Sequence, residues 1–286
     1  MTGEILIADD IEVVYGARKG LFGAAKPGVK VLHGVSLRIG RGETVGIVGE
    51  SGSGKTTLGR ALLRLVDVAT GQIRFDGAEI TRMPEAAMRP LRRRMQLIFQ
   101  DPMASLNPRH SIRRIVSEPM LFHAVARDAV DAEIRARAIF DRFSLPAACL
   151  DRYPHELSGG QRQRVGIARA ALLAPDFVLA DEIVSGLDVS TQAQVLNLLK
   201  GLTRDLGLSM AFISHDLSVI RAICDRVYVL RNGRIVEEGG CEEIFASPKS
   251  EYTRALLDAI PLPRIDPGWL ARGSGVADAV EENGAK

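Results

Sequence analysis

The sequence contains the run Gly49-Glu50-Ser51-Gly52-Ser53-Gly54-Lys55-Thr56, which has the form GxxxxGK[ST]. An apolar stretch at residues 44–49 precedes it, and a helical pattern starts at Lys55. The N–H groups of such a loop and the start of the following helix together form a nest for phosphate groups. We therefore predict a nucleotide site in which Lys55 reaches the β- and γ-phosphates, Thr56 binds Mg²⁺ and Thr57 contacts the α-phosphate. The other phosphate-binding residues that we predict are Gly49, Ser51, Gly52, Ser53 and Gly54.

Composition excludes several classes of protein. The 286 residues are 46% hydrophobic and 25% charged, as in soluble globular domains, so a disordered chain is excluded. A formal net charge of +2 gives no general reason to expect a nucleic acid or an anionic membrane as partner. No apolar stretch reaches the ~18 residues that span a bilayer. The 28 glycines exceed the usual ~7%, so they are either linkers or sites of close ligand approach.

Short β-branched runs alternate with longer helical patterns, which predicts a layered α/β core. Strands are predicted at residues 5–7, 12–15, 35–39, 44–49, 73–75, 95–100, 177–180, 210–214, 226–230 and 234–236. Helices are predicted from Lys55, with Leu58, Leu62, Leu63 and Leu65 on one face, and at 112–122, 129–143, 160–173 and 193–206. Residues 111–174 show no convincing strand, so a helical insert of roughly residues 101–160 is the most economical organisation. Residues 16–30 are predicted as a loop, and the tail beyond 260 as loosely held.

Two carboxylates end the apolar strand Phe177-Val178-Leu179-Ala180-Asp181-Glu182. In a phosphate-loop nucleotide site, an Asp at such a strand end holds Mg²⁺, usually through water. Glu182 would then polarise the attacking water as a general base. Acidic residues also end strands as helix caps, but the pairing with the loop at 49–56 favours the catalytic interpretation.

A second glycine-rich run, Leu157-Ser158-Gly159-Gly160-Gln161, precedes a helical pattern and offers another phosphate nest. One nucleotide hardly needs two such nests from a single chain. With this run the sequence resembles the ATP-binding cassette ATPases, whose signature motif reads LSGGQ. The resemblance covers roughly residues 5–245. It implies a head-to-tail dimer in which Ser158, Gly160 and Gln161 close over the ATP of the partner subunit. The alternative is a capped helix without a ligand.

The resemblance also implies roles for four isolated residues. Gln100 matches the Q-loop glutamine that contacts Mg²⁺ and water, although a Gln at a strand end is otherwise unremarkable. His215 matches the switch histidine at the γ-phosphate, and the alternative is an ordinary loop histidine. Asp188 matches the D-loop at the dimer interface, or it caps the next helix. Tyr15 fits the aromatic that stacks on adenine, or it is a core residue.

The fold that the resemblance implies is α/β, with a P-loop NTPase (RecA-like) core, an N-terminal antiparallel β subdomain and an inserted α-helical subdomain. The implied division assigns residues 1–100 to the first part of the ATP-binding core and 101–160 to the helical subdomain with the signature. Residues 161–246 form the second part of the core, and residues 247–286 a C-terminal tail. Ile183 and Gly186 stand where the family often has Pro and Ala; neither removes a ligating group, so we expect hydrolysis to be retained.

Three further strings are similar to the oligopeptide, dipeptide and nickel importers of bacteria. They are Gln100-Asp101-Pro102-Met103-Ala104-Ser105-Leu106-Asn107-Pro108-Arg109, Tyr153-Pro154-His155-Glu156 and Tyr252-Thr253-Arg254-Ala255-Leu256-Leu257. Ser250-Glu251 replace the His-Pro that commonly precedes the last string. Some members bind an iron–sulfur cluster in this tail, but no cysteine follows Cys241, so no cluster is expected.

The resemblance implies ATP and Mg²⁺ as cofactors, and an ATPase that works with membrane proteins. The implied partners are a second ATPase subunit, identical or different, two integral membrane permease subunits and an extracytoplasmic solute-binding protein. The chain is then expected at the cytoplasmic face of the inner membrane, with no nucleic acid. We interpret Arg92-Arg93-Arg94 as a solvated face and not a nucleic-acid patch, because no aromatic residues accompany it. The alternatives are an importer of nickel or another non-peptide solute, and a cassette ATPase outside transport.

Overall fold

The computed structural model describes residues 3–16 and 28–259, so most of the predicted loop at 16–30 and the tail beyond 259 lie outside the described residues. The strands are β1 Glu4–Tyr15, β2 Val29–Gly40, β3 Thr44–Val48, β4 Thr70–Phe75, β5 Ala78–Glu79, β6 Met95–Ile98, β7 Phe177–Asp181, β8 Ser209–Ile213, β9 Arg226–Arg231 and β10 Arg234–Gly240. The helices are α1 Lys55–Leu62, α2 Glu85–Arg94, α3 Pro102–Ser105, α4 Ile112–Phe122, α5 Ala129–Arg142, α6 Gly159–Ala171, α7 Val189–Leu206, α8 Leu217–Ile223, α9 Cys241–Ala246 and α10 Glu251–Asp258. None of these helices is long and apolar enough to cross a membrane.

An antiparallel sheet forms the N-terminal layer, with strand order β2-β1-β4-β5. The prediction of two separate strands before residue 16 was wrong, because β1 runs unbroken through Asp9 and Asp10. Asp10 has a φ of 49°, and the pairing with β2 shifts register between Ala8 and Ile11. This bulge lets one strand continue past two acidic residues that the sequence pattern suggested as a break. The loop prediction was also wrong at Val29 and Lys30, which lie in β2.

The second sheet has strand order β10-β9-β3-β8-β7-β6. All of its pairings are parallel except β9 with β10. Every residue of β3 and β8 is buried, as expected for strands covered on both faces. Parallel strands end at the same edge of a sheet, so the segments after β3, β7 and β8 meet there. These segments carry residues 49–56, Glu182 and His215.

Residues 99–176 contain helices and turns and no strand, as predicted for 111–174. Ser111 and Asp128 cap α4 and α5 by accepting hydrogen bonds from backbone N–H groups in the first turn. Apolar side chains of these helices, such as Met120 and Phe140, are fully buried together with residues of α6. The helical segment therefore packs on the same core that supports β7 and β8.

The structure corrects two predictions about surface residues. Leu65 was predicted on the apolar face of the first helix, but α1 ends at Leu62 and Leu65 is 50% exposed. The three arginines were predicted as a solvated face, but they end α2, a helix that the sequence analysis missed, and each is partly buried. Arg92 donates to the carbonyls of Leu63 and Arg64, Arg93 donates to the carbonyl of Leu173, and Arg94 pairs with Asp76 and Asp176. They join α2 to its neighbours.

Candidate functional site

The loop between β3 and α1 needs glycine for steric reasons at two positions. Gly54 is the residue before α1 and has a φ of 106°. Gly49 has a φ of 147°, and a Cβ there would lie 2.1 Å from the carbonyl oxygen of Leu230. Side chains are therefore excluded at both ends of the turn, and the backbone can wrap around a ligand.

A cavity of about 300 Å³ opens over this loop. Its lining residues are Val31, Ser51, Gly52, Gly54, Lys55, Thr56, Thr57 and Glu182. Ser53 is nearly buried, and its Oγ has no hydrogen-bond partner among the described residues. Buried polar atoms are normally paired, so an orphaned hydroxyl in this loop fits a site for a polar ligand.

The ammonium of Lys55 is drawn into the loop. Its Nζ donates to the carbonyl oxygens of Gly49 and Glu50, each at 2.8 Å. Burial lowers the pKa of Lys55, and the nearby carboxylates of Glu182, Asp181 and Glu50 act in the opposite direction. A buried cation beside a cavity is stabilised by an anion, so the electrostatics favour phosphate.

Thr56 and Asp181 supply two adjacent oxygen ligands. The Thr56 hydroxyl donates to Oδ1 of Asp181 at 3.3 Å. Burial raises the pKa of Asp181, and the charge of Glu182 adds to this effect while the Thr56 hydrogen bond opposes it. A hard cation takes such oxygens as ligands. The described part of the chain has no group of three or more His, Cys, Asp or Glu placed to hold a metal ion by themselves, so Mg²⁺ here would need phosphate and water as further ligands.

Glu182, Gln100 and His215 come together at the strand edge. Gln100 donates from Nε2 to Oε2 of Glu182 at 3.0 Å, and Nδ1 of His215 lies 3.5 Å from Oε1. Glu182 has a φ of 49°, a left-handed conformation that costs energy for a residue with a side chain. Such strain is concentrated at functional sites, and here it directs the carboxylate toward the cavity over the loop.

The signature run lies outside this cavity. Ser158 caps α6 by accepting from the N–H of Gln161 at 3.3 Å, and the Gln161 side chain accepts from the N–H of Ser158 at 3.0 Å. This capping box fixes the helix start. A Cβ at Gly160 would lie 2.9 Å from Cγ2 of Thr191, in α7. None of residues 157–161 lines the phosphate-loop cavity.

Neither Asp188 nor Tyr15 lines the cavity over the loop. Asp188 caps α7, and the hydrogen bonds from the Ser190 hydroxyl and from the N–H and hydroxyl of Thr191 strongly lower the pKa of its carboxyl. The sequence analysis offered this cap as the alternative, and both roles fit one side chain. Tyr15 is 39% exposed at the end of β1, so it is not a core residue.

Sequence reasoning missed two residues at the site. Val31, in β2, lines the cavity, and Tyr252, in α10, accepts a hydrogen bond from the N–H of Glu50 at 3.0 Å. Val31 carried no chemical signal. Tyr252 belongs to the run 252–257 that indicated a subfamily, but its contact with Glu50 joins residues 202 positions apart, which a local pattern does not reveal.

The ABC transporter family model matches residues 32–185. A Brucella ovis protein that carries the provisional name peptide import ATP-binding protein is 56% identical, over 83% of this chain and 75% of its own length. The oligopeptide transport ATP-binding protein AmiF of Streptococcus pneumoniae is 47% identical over 92% of this chain and 83% of its own. The oligopeptide transport ATP-binding protein AppF of Bacillus subtilis is 46% identical over 91% of this chain and 79% of its own length.

Solved structures give the same result. A dimeric ATP-binding cassette in a post-hydrolysis state with ADP and Pi matches with a TM-score of 0.73 and 28% identity, covering 82% of this chain and 98% of its own. CbiO1 of Clostridium perfringens, part of an ABC transporter complex, matches with a TM-score of 0.73 and 28% identity. The match covers 90% of this chain and 96% of CbiO1. The predicted α/β P-loop fold is thereby confirmed. The chain belongs to the ABC transporter family, as one of its ATP-hydrolysing, nucleotide-binding subunits.

Proposed function

We propose that the chain energises the import of di- or oligopeptides, or of related small solutes, through membrane permease partners. The observation that carries this proposal is the 46–56% identity to proteins named as peptide or oligopeptide transport ATP-binding proteins, over more than four fifths of the chain. Substrate choice in such a machine rests on partners, so the solute class is inferred from these relatives.

In the proposed site, the loop at 49–57 holds the phosphates of ATP. Thr56, Asp181 and Gln100 would hold Mg²⁺, which when bound screens the charge of the phosphates. Glu182 accepts a proton from the attacking water, and His215 and Gln100 orient that carboxylate and the γ-phosphate. Lys55 stabilises the charge that develops as the γ-phosphoryl leaves. Tyr15 stacks on adenine.

The signature run acts in a dimer. Ser158, Gly160 and Gln161 are exposed or half-buried at the positively polarised start of α6, and the cavity over the loop at 49–57 includes none of them. A second ATPase subunit, identical or different, would place its own signature over this chain's ATP. Asp188 lies at the same interface and caps α7. The dimer thus encloses two nucleotides.

The permease partners dock on the helical segment. A groove of about 640 Å³ lies beside residues 101–125, and its wall includes the exposed rings of Phe99 and Phe122. Contiguous exposed apolar side chains on a surface are typical of protein contact sites. With two permeases and an extracytoplasmic binding protein, the chain lies at the cytoplasmic face of the inner membrane. We also propose that the chain is divided into two parts of an ATP-binding core at residues 1–100 and 161–246, a helical subdomain at 101–160 and a C-terminal tail at 247–286.

Purification of the tagged full-length chain from its native membrane, followed by ATPase assays in proteoliposomes, tests this function. We expect co-purification of two hydrophobic permeases and stimulation of ATPase activity by the solute-binding protein loaded with a mixed di- and oligopeptide library. Stimulation by Ni²⁺ instead would favour the nickel importer. A soluble complex with ribosomes or nucleic acid would contradict transport.

A further inference from the structure

The C-terminal helix α10 places one aromatic side chain against the phosphate-binding loop. Tyr252 is 7% exposed, and its hydroxyl oxygen accepts a hydrogen bond from the N–H of Glu50 at 3.0 Å. The guanidinium of Arg231 covers the ring at 4.7 Å from its centre. The ring thus packs against Arg231 within the buried core, while the hydroxyl makes a separate contact with the loop.

The N–H that Tyr252 contacts belongs to the peptide group between Gly49 and Glu50. The carbonyl of that same peptide group accepts a hydrogen bond from Nζ of Lys55 at 2.8 Å. In a trans peptide the N–H and C=O groups point in opposite directions. Tyr252 therefore holds one side of the peptide group, and Lys55 is bonded to the other.

The start of the helix that carries Tyr252 is held by hydrogen bonds to β10. The carboxylate of Glu237, buried on β10, accepts from the backbone N–H of Lys249 at 2.7 Å and of Ser250 at 3.0 Å. Ser250 then caps α10 by accepting from the N–H of Tyr252 at 3.2 Å. The position of the tyrosine hydroxyl is thereby set by the core sheet.

We propose that Tyr252 is a positioning residue that orients the Gly49–Glu50 peptide group, and through its carbonyl the ammonium of Lys55, toward the phosphates of the nucleotide. The hydroxyl acts on the loop and does not touch ATP. The inference rests on the nucleotide site proposed above. It gives the C-terminal helix a part in ATP binding, although this helix contributes no residue to the cavity over the loop at 49–57.

The test compares Tyr252→Phe with Tyr228→Phe in the full-length chain. Both changes remove a tyrosine hydroxyl that accepts from a backbone N–H. The Tyr228 hydroxyl accepts from the N–H of Arg38 at 3.1 Å, away from the loop, and also donates to the Arg38 carbonyl and accepts from Arg226. We expect Tyr252→Phe to weaken binding of a fluorescent ATP analogue about fivefold, as for the loss of one hydrogen bond, and to raise KM for ATP similarly. Tyr228→Phe should leave both at the wild-type value.

A second comparison tests the route through Lys55. In a Lys55→Ala background, Tyr252→Phe should have no further effect on nucleotide affinity, because the coupled partner is gone. An equal loss in both backgrounds would contradict a route through Lys55, and wild-type affinity in Tyr252→Phe would overturn the inference outright. A wild-type chain that binds no ATP would instead contradict the nucleotide site, so the two failures are distinguishable.

Discussion

Nδ1 of His215 lies 3.5 Å from Oε1 of Glu182, although the two residues follow different strands of the sheet, β8 and β7. The parallel order of these strands brings both residues to one edge. The left-handed backbone at Glu182 directs its carboxylate toward the phosphate-loop cavity. The pair therefore has the geometry that the proposed function requires of a base and the residue that orients it.

We expect Glu182→Gln to bind ATP normally and to lose about 10²-fold or more of its turnover, because the amide cannot accept a proton. The amide still accepts the hydrogen bond that Gln100 donates. Phosphate release, measured beside binding of a fluorescent ATP analogue, checks this. Size-exclusion chromatography with ATP should show accumulated dimer. Wild-type phosphate release in the variant would mean that another group is the base.

Thr56→Val should raise the Mg²⁺ concentration for half-maximal ATPase activity about tenfold, because the change removes one of two adjacent oxygen ligands. Titration of Mg²⁺ after treatment with EDTA measures this. Thr57→Val is the matched control, since it lines the same cavity but is proposed at the α-phosphate. An unchanged Mg²⁺ requirement in Thr56→Val would remove this hydroxyl from the metal site.

Ser158→Arg should abolish hydrolysis while the isolated monomer still binds ATP, because in the proposed dimer the signature acts on the nucleotide of the other subunit. Ser111→Arg controls for the loss of a helix cap, which costs about 1 kcal/mol, since Ser111 caps α4 in the same manner. Nucleotide titration of dilute monomer and an ATPase assay separate the two effects. Loss of binding by the Ser158→Arg monomer would refute action across the dimer.

The anchor of α10 should weaken in acid. Burial alone would raise the pKa of Glu237, but the hydrogen bonds that it accepts outweigh burial and hold the pKa below the ordinary value of 4.5. A lowered pKa in the folded state means that its stabilisation is complete above about pH 4.5 and is lost as the pH falls through the folded value. Limited proteolysis and thermal unfolding between roughly pH 6 and pH 3 measure this loss.

Glu237→Gln should show a smaller loss in acid and should cost about 1–2 kcal/mol of unfolding free energy near neutral pH, because charged acceptors make the stronger hydrogen bonds. Glu238→Gln, at the next and exposed position of β10, is the matched control. If both variants keep the acid profile of the wild type, Glu237 does not anchor the helix.

The local motifs were predictable because each one spans the residues that form its own turn or strand end. The run at 49–56 fixes a strand, a turn and a helix, and Asp181-Glu182 marks the end of β7. The bulge at Asp10 was not predictable, since two adjacent acidic residues resemble a break and only pairing with β2 and β4 shows the continuation. Helix α2 was missed because it contains Pro90 and three arginines, and it is held by partners in other elements.

Contacts across long sequence separations were beyond a motif-based interpretation. The string from Tyr252 to Leu257 indicated a subfamily, but no periodicity shows that one hydroxyl reaches Glu50. Nor does any periodicity show that Gln100 and His215 contact Glu182. The roles of Gln100 and His215 came from the family resemblance, and their contact with Glu182 depends on the order of strands in the sheet.

The bond between Glu50 and Tyr252 has a consequence for synthesis of the chain. The phosphate-binding loop leaves the ribosome early, but its tyrosine partner follows 202 residues later. At translation rates of about 5–20 residues per second, this delay lasts on the order of ten seconds or more. During that interval a nascent chain carries the complete run from Gly49 to Thr56 without the contact that orients its first peptide group. If Tyr252 orients that group as proposed, full nucleotide affinity requires synthesis to pass residue 252, and we expect chains truncated before α10 to bind ATP more weakly.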